Sequence, residues 1–237
     1  MQRYFVNEII NHEVVFEKDQ IHHIVNVMRM RVNDQITVVC NGEAFLATLT
    51  STNPLVVKVI ENLHEEHELK NDITLLYCIP KGEKLDLVIQ KATELGVSEI
   101  ILVQSERCIA KITKENKDKK LIRFNKIALE ASEQSKRTRV PLIDKVIDYK
   151  DISKYQFDHS YIAYEDEGEL SFKEKIEQIK EGETIGIIVG SEGGFSRKEV
   201  DYAISNGYQS ISLGKRILRS ETAVFYALAC FSLILER

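Results

Sequence analysis

Cysteine is sparse and unpaired in this 237-residue chain: Cys40, Cys78, Cys108 and Cys230 stand far apart, with no C-x-x-C pair. That spacing suits neither the usual zinc frameworks nor a disulfide-stapled fold, and it fits a reducing compartment. Long hydrophobic runs are missing too. The longest, AVFYALACFSLIL at 223 to 235, falls short of the ~20 residues of a membrane helix and reads as a buried terminal helix. MQRYFVNEIINHEVV lacks the basic lead and apolar core of a secretory signal, so a soluble, cytoplasmic protein with no membrane partner is expected. Internal repeats and low-complexity tracts are absent as well.

Several catalytic signatures are approached and missed. HEEH at 64 to 67 puts His64 and His67 at i and i+3, whereas the zincin helix needs i and i+4, so no metal site is expected. His22 and His23 read as packed rings and not as ligands. VGSEG at 189 to 193 has Val189 where a nucleophile elbow needs glycine, and every histidine precedes Ser191, against the hydrolase order. SLGKRI lacks the upstream glycine and the Ser/Thr of a phosphate-binding P-loop.

What is present is 43% hydrophobic residues, enough for a sizeable core, and a net charge of -5. The charge is unevenly spread. Between Glu106 and Lys145 twelve Lys or Arg face six Asp or Glu, a local +6, which leaves -11 for the remainder. Such a segment is either a solvated helical face or a surface that tracks phosphates.

The first 68 residues hold short β-prone runs (ITVVC, AFLATLT, LVVKVI), turn signals at Asn33-Asp34, Asn41-Gly42 and Asn53-Pro54, and one helical stretch near DQIHHIVNVMR. A small β-barrel or sandwich over 1–68 is expected, followed by the polar linker ENLHEEHELKND. From 72 to 237 strands alternate with helices: ITLLYCI, helix 83–95, EIILVQ, helix 119–134, HSYIAYE, helix 171–179, TIGIIVG, helix 196–205, SISLG, and a last helix from Ser220. That alternation predicts an α/β domain with a largely parallel sheet.

Two turns in this second part stand out. Gly190, Gly193 and Gly194 follow the strand IGIIV, at the sheet edge where open α/β folds bind ligands. Bare backbone there can approach a flat ligand closely, and Ser196 with Glu199 forms a capping box for the next helix. A plain strand-to-helix turn would explain the glycines equally well. The second turn, SISLGKRILRSETA, sets Arg216 and Arg219 between Gly214 and Ser220, with Ser220 expected as the N-cap. A cation before a helix N-terminus is unfavourably placed for the dipole, which suggests an anionic partner.

GSEGGFSRKEV followed by SLGKRILRSETA resembles the signature of the small-subunit ribosomal RNA uridine N3-methyltransferases, in the SPOUT superfamily of knotted methyltransferases. HHIVNVMRMRVNDQITVVCNGEAFLATL is similar to that family's PUA-like RNA-binding barrel. PKGEKLDLVIQKATELGVSEIILVQSERC and KIALEASEQSKRTRVP resemble its two middle signatures. The likeness covers nearly the whole chain, with one departure: Ser191 stands where the family usually has proline.

The resemblance implies a trefoil-knotted C-terminal domain, S-adenosyl-L-methionine as cofactor, a homodimer formed through the knots, and 16S ribosomal RNA in assembled small-subunit particles as substrate. It implies cofactor contacts from Tyr164 and Glu165, from Gly190, Ser191, Glu192, Gly193 and Gly194, and from Leu213, Gly214, Ile217 and Leu218. Arg219 would stabilise the uracil anion, and Glu221 would either orient Arg219 or accept a proton. Arg3, Arg29 and Arg31 are expected to hold RNA phosphates, with Glu133, Gln134, Arg137 and Arg139 lining the RNA entrance. A ribose 2'-O-methyltransferase of the same superfamily and a non-catalytic RNA-binding assembly factor remain as alternatives.

Overall fold

The structure is a computed structural model that describes residues 1–164 and 172–236. Its backbone divides into two compact units, one of residues 1–68 with 132–139 and one of 69–131 with 140–237.

The first unit opens with three short strands, β1 (Arg3–Phe5), β2 (Glu8–Ile10) and β3 (Glu13–Val15). A helical stretch follows, α1 (Lys18–His22), which runs into a π-helical turn at His23–Val27. Three longer strands complete it: β4 (Gln35–Cys40), β5 (Glu43–Thr52) and β6 (Leu55–Asn62). They form one sheet in the order β1-β4-β5-β6-β3-β2, antiparallel except for the β1–β4 pair. Asn41 and Gly42 both have positive φ, as the tight turn of a two-residue hairpin requires. The core gathers Tyr4, Ile24, Ile36, Val38, Ala47, Leu49 and Val57. The first three strands are too short to show alternation in the sequence, and their pairing depends on partners far along the chain.

The second unit alternates strand and helix. In chain order it comprises β7 (Ile73–Cys78), α2 (Lys84–Glu94), β8 (Glu99–Gln104), α3 (Lys114–Gln134), β9 (Val146–Asp148), a 3-10 turn at Tyr149–Lys154 and β10 (His159–Ala163). It continues with α4 (Phe172–Ile176), β11 (Ile185–Val189), α5 (Arg197–Ser205), β12 (Gln209–Ile211) and α6 (Ser220–Leu235). All six strands are parallel, in the order β12-β10-β11-β7-β8-β9. Every residue of β7 and β11 is buried, as expected for strands covered on both faces. The helices bury one stripe each: Leu85, Val88, Ile89 and Ala92 on α2, and Val224, Ala227, Leu228, Phe231 and Leu235 on α6. α3 starts at Lys114, earlier than the expected 119, because the run KENKDKK has no apolar stripe to announce a helix.

The segment Ser132–Arg139 at the end of α3 packs with the first 68 residues, which a division at the polar linker alone does not anticipate. The attachment is ionic and buried. Glu68 accepts from Arg137 Nη2 at 2.6 Å and from the amides of Thr138 at 2.8 Å and Arg139 at 3.0 Å. Arg3 Nη1 donates to the Arg137 carbonyl at 3.1 Å, and Arg3 also pairs with Glu65. Burial opposes ionisation of Glu68, but the Arg137 guanidinium and the two amides outweigh it and hold the carboxyl below its ordinary 4.5. A carboxylate with a depressed folded pKa stabilises above its unfolded value and loses that contribution as the pH falls through the folded one. Glu68→Gln should therefore cost roughly 3 kcal/mol at neutral pH and flatten the acid side of a denaturant-midpoint profile below about pH 4.5. An unaltered acid limb would take Glu68 out of that role.

Candidate functional site

The carboxyl ends of β10, β11 and β12 open onto a cleft of about 800 Å³, lined wholly by residues of the second unit. Its walls are Ala163 and Tyr164 near the end of β10, the turn Val189 to Phe195 at the end of β11, and, from the run between β12 and α6, Ser212 to Gly214 and Arg216 to Ser220. Lys84, Arg107, Arg197 and Ala223 complete it. The sheet places it where strand order reverses between β11 and β7, the usual ligand edge of an open α/β sheet.

A chain of two hydroxyls holds the cleft floor. Ser220 Oγ donates to the Gly190 carbonyl, and the Tyr77 phenol lies 2.9 Å from the same Oγ, so Tyr77 is the donor to Ser220. Burial raises the Tyr77 pKa and keeps it a protonated donor. Ser220 is thus the first helical residue of α6 and the tether of the β11 turn, whereas the N-cap falls to Arg219, with no side-chain cap. At α5 the expected capping box is present: Ser196 Oγ accepts from the Glu199 amide at 3.4 Å, and Glu199 accepts from the Ser196 amide at 2.9 Å.

Packing within the fold gives Gly193 a cause of its own. A Cβ on Gly193 would lie 2.9 Å from Arg107 Cβ and 3.3 Å from its carbonyl oxygen, so glycine lets the turn close against Arg107. Arg107 Nη1 then donates to the Gly193 carbonyl at 2.9 Å. Ser191 Oγ is buried and makes no hydrogen bond of ordinary geometry among the described residues, though it sits close enough to the Cys108 sulfur to favour its thiolate. Cys108 is pulled down to about 6, first by the Cys78 thiol and against burial, whereas burial pushes Cys78 well up.

The third wall is loosely self-bonded. Gly214 has φ +107°, a conformation that other residues rarely adopt, and Ser212 Oγ bonds both its amide and its carbonyl. From Lys215 to Leu218 no backbone–backbone hydrogen bond occurs among the described residues. A wall of unpaired amides and carbonyls beside a cleft is suited to a ligand that carries its own donors and acceptors.

Arg219 is exposed, and its guanidinium has no ion pair or hydrogen bond among the described residues; its carbonyl accepts from the Ala223 amide at 2.8 Å. Glu221 pairs with Lys84 Nζ at 3.3 Å, and the same ammonium lies 3.0 Å from Glu192. Glu221 therefore does not orient Arg219 here. Lys84, Arg107 and Arg197 are charged site residues that sequence reasoning missed: all three lie inside stretches quoted for the family signatures, but nothing in their neighbours marks them as cleft-facing.

Gly190, Ser191, Glu192, Gly193, Gly194, Leu213, Gly214, Ile217, Leu218 and Tyr164 all line the cleft. The Tyr164 amide is committed to the Ile211 carbonyl at 3.1 Å, and Glu165 lies outside the described residues. Of the expected RNA contacts, Arg3 and Arg137 are corrected: both are buried, at 6% and 3% exposure, and their guanidinium groups are engaged by Glu65 and Glu68. Arg29, Arg31 and Arg139 are exposed, and Glu133 and Gln134 end α3. The basic segment is partly neutralised as well, Arg123 by Asp86 and Lys145 by Glu99. Lys114, Lys119 and Lys126 remain exposed on α3.

The sequence pattern of the RNA methyltransferase domain matches residues 67–232, and that of the RNA methyltransferase PUA domain matches 16–60. The chain is 36% identical over 247 residues to the ribosomal RNA small subunit methyltransferase E of Bacillus subtilis, covering 98% of this chain and 96% of that one. A crystal structure of the protein of that name from Neisseria gonorrhoeae, bound to S-adenosyl methionine, superposes with a TM-score of 0.87 at 30% identity, over 98% of this chain and 97% of that one. A Legionella pneumophila methyltransferase structure in complex with the cofactor SAM gives 0.86 at 27% identity, over 98% and 96%. Among the described residues no helix is long and apolar enough to cross a membrane, and no cluster of three metal-ligating side chains occurs.

A side chain at Gly193 would push the turn off Arg107 and move the cleft wall with it. Gly193→Ala should weaken S-adenosylmethionine binding at least about tenfold by titration calorimetry, or about 1.4 kcal/mol. An unchanged Kd would detach this turn from the cofactor site.

Proposed function

The chain belongs to the ribosomal RNA small subunit methyltransferase E family, and from that membership we propose that it methylates N3 of a uridine in 16S ribosomal RNA with S-adenosylmethionine as donor. The observation that carries the reading is the pairing, in one cleft, of a backbone-rich wall with a guanidinium that has no partner of its own among the described residues.

The cleft suits the cofactor on its own features. Its volume is in the range of a drug-sized ligand, Ser191 Oγ is buried without a regular partner, and the Lys215 to Leu218 backbone is unpaired. When bound, S-adenosylmethionine supplies a methyl group on a sulfonium that an in-line nucleophile can take. The chain's share is to position and to stabilise charge. The Gly190 turn, held by Ser220, and the Leu213 to Leu218 wall orient the cofactor. Arg219 faces the uracil, whose N3 gives up its proton to solvent and attacks as an anion spread over O2, N3 and O4. A preorganised guanidinium beside O2 or O4 lowers the barrier as that charge develops.

RNA contacts extend to the PUA-like unit through Arg29 and Arg31, and to the exposed lysines of α3. The knotted threading implied by the family likeness is supported by the β12-β10-β11-β7 strand order. A homodimer is supported by Tyr226 and Leu233, 43% and 81% exposed on one face of α6, and by Ile217, 84% exposed on the cleft wall. The N3 position lies on the pairing edge of uracil, so the target is an unpaired or flipped-out base, which assembled small-subunit particles can present.

Arg219→Ala should lower single-turnover methylation of small-subunit particles by about a hundredfold or more while changing cofactor Kd far less. Nucleoside mass spectrometry of the same reactions should show 3-methyluridine. A rate within a few-fold of wild type removes Arg219 from the chemistry, 2'-O-methyluridine as product installs the ribose reading, and RNA binding with no methylated product installs the non-catalytic one.

A further inference from the structure

At the mouth of the cleft one ammonium holds two carboxylates. Lys84, the first residue of α2, reaches Glu192 in the β11 turn at 3.0 Å and Glu221 in the first turn of α6 at 3.3 Å. The two contacts are unequal. Glu192 has a second tether, the Lys81 amide at 3.2 Å, whereas Lys84 is the sole side-chain partner of Glu221 among the described residues. Glu221 is largely buried, at 15% exposure, and stands two residues beyond Arg219. Removing the cation from a buried pair leaves a costly uncompensated charge, and an unpaired guanidinium stands two residues away in sequence.

We infer that Lys84 is a positioning residue for methyl transfer: by holding Glu221 it keeps that carboxylate off Arg219 and leaves the guanidinium uncompensated for the anion of the base. The inference rests on the role assigned to Arg219 above. It explains an arrangement that a simple surface ion pair does not. A cleft that needs positive charge at one arginine has one glutamate in its wall, Glu192, and another beside it, Glu221, and both are matched to the same lysine on α2. Glu192 is held below the ordinary carboxylate range, burial being outweighed by its own amide, Lys84 and the Lys81 amide, so it carries full charge at neutral pH and needs that counter-ion.

The test compares Arg219→Ala, Lys84→Met, Lys84→Arg and the double variant Lys84→Met/Glu221→Gln in single-turnover methylation of small-subunit particles at saturating S-adenosylmethionine. Lys84→Met should be slower by roughly tenfold, a part of the ~hundredfold expected for losing the arginine itself. Lys84→Arg should keep most of the rate, since it restores the cation. The deciding comparison is the double variant against Glu221→Gln alone, measured alongside: with Glu221 uncharged, losing Lys84 should cost less than about threefold. A merely structural role for Lys84 would cost about the same tenfold in the Glu221→Gln background, and that outcome overturns the inference. So does Lys84→Met at the wild-type rate while Arg219→Ala is slow. If Arg219→Ala is itself fast, the assignment of Arg219 fails first and the inference with it.

Discussion

The site is organised by the hydrogen bond from Ser220 Oγ to the Gly190 carbonyl. Three elements distant in sequence meet there: Tyr77 at the end of β7, the turn after β11, and the start of α6. The bond is buried, so leaving it unmade would cost an unsatisfied carbonyl in the core. Each hydroxyl has one proton to give. With Ser220 donating to Gly190, the remaining partner must donate, and Tyr77 is kept protonated by its own burial. The direction of the chain is thus fixed, and the β11 turn cannot leave the floor without breaking it. Arg219, directly before Ser220, takes its backbone position from this anchor.

Above that floor the cleft separates neutral from charged recognition. The carbonyl of Gly193 is spent on Arg107 and the amide of Tyr164 on Ile211, so these groups serve the wall itself. The unpaired backbone lies between Lys215 and Leu218. A neutral wall of this kind suits the purine and sugar edges of a nucleoside, whereas a wall of charges would favour any anion.

Much of the fold was legible in the sequence because it is carried by local signals. Fully apolar runs marked β7, β8 and β11, helical stripes marked α2 and α6, and Ser196 with Glu199 marked the start of α5 through contacts three residues apart. What escaped depends on partners brought together by folding. Ser220 looked like an N-cap because it precedes an apolar helix, yet its hydroxyl is claimed by Gly190, 30 positions earlier. Arg3 looked like a phosphate ligand and Arg137 like part of an RNA entrance because the sequence does not distinguish a paired guanidinium from an unpaired one. Their partners, Glu65 and Glu68, sit in a stretch that reads as a polar linker. Lys84 shows the converse: nothing around it in the chain indicates that two carboxylates from remote turns would meet at its ammonium.

The cations of the cleft explain how an acidic protein can address RNA at one point. Of those lining it, Lys84 is matched by two glutamates, Arg107 is bound to a carbonyl, and Arg197 is paired with Asp201 at 3.0 Å. Among the described residues, Arg216 and Arg219 alone line the cleft without such a contact. Both belong to the segment between Gly214 and Ser220, and between them lies backbone that makes no hydrogen bonds of its own. Unmatched positive charge and unpaired polar backbone are therefore carried by the same few residues. Net charge, which averages over the whole chain, says little about such a site, because neutralisation elsewhere leaves the field at the cleft to be set by the groups that remain unpaired.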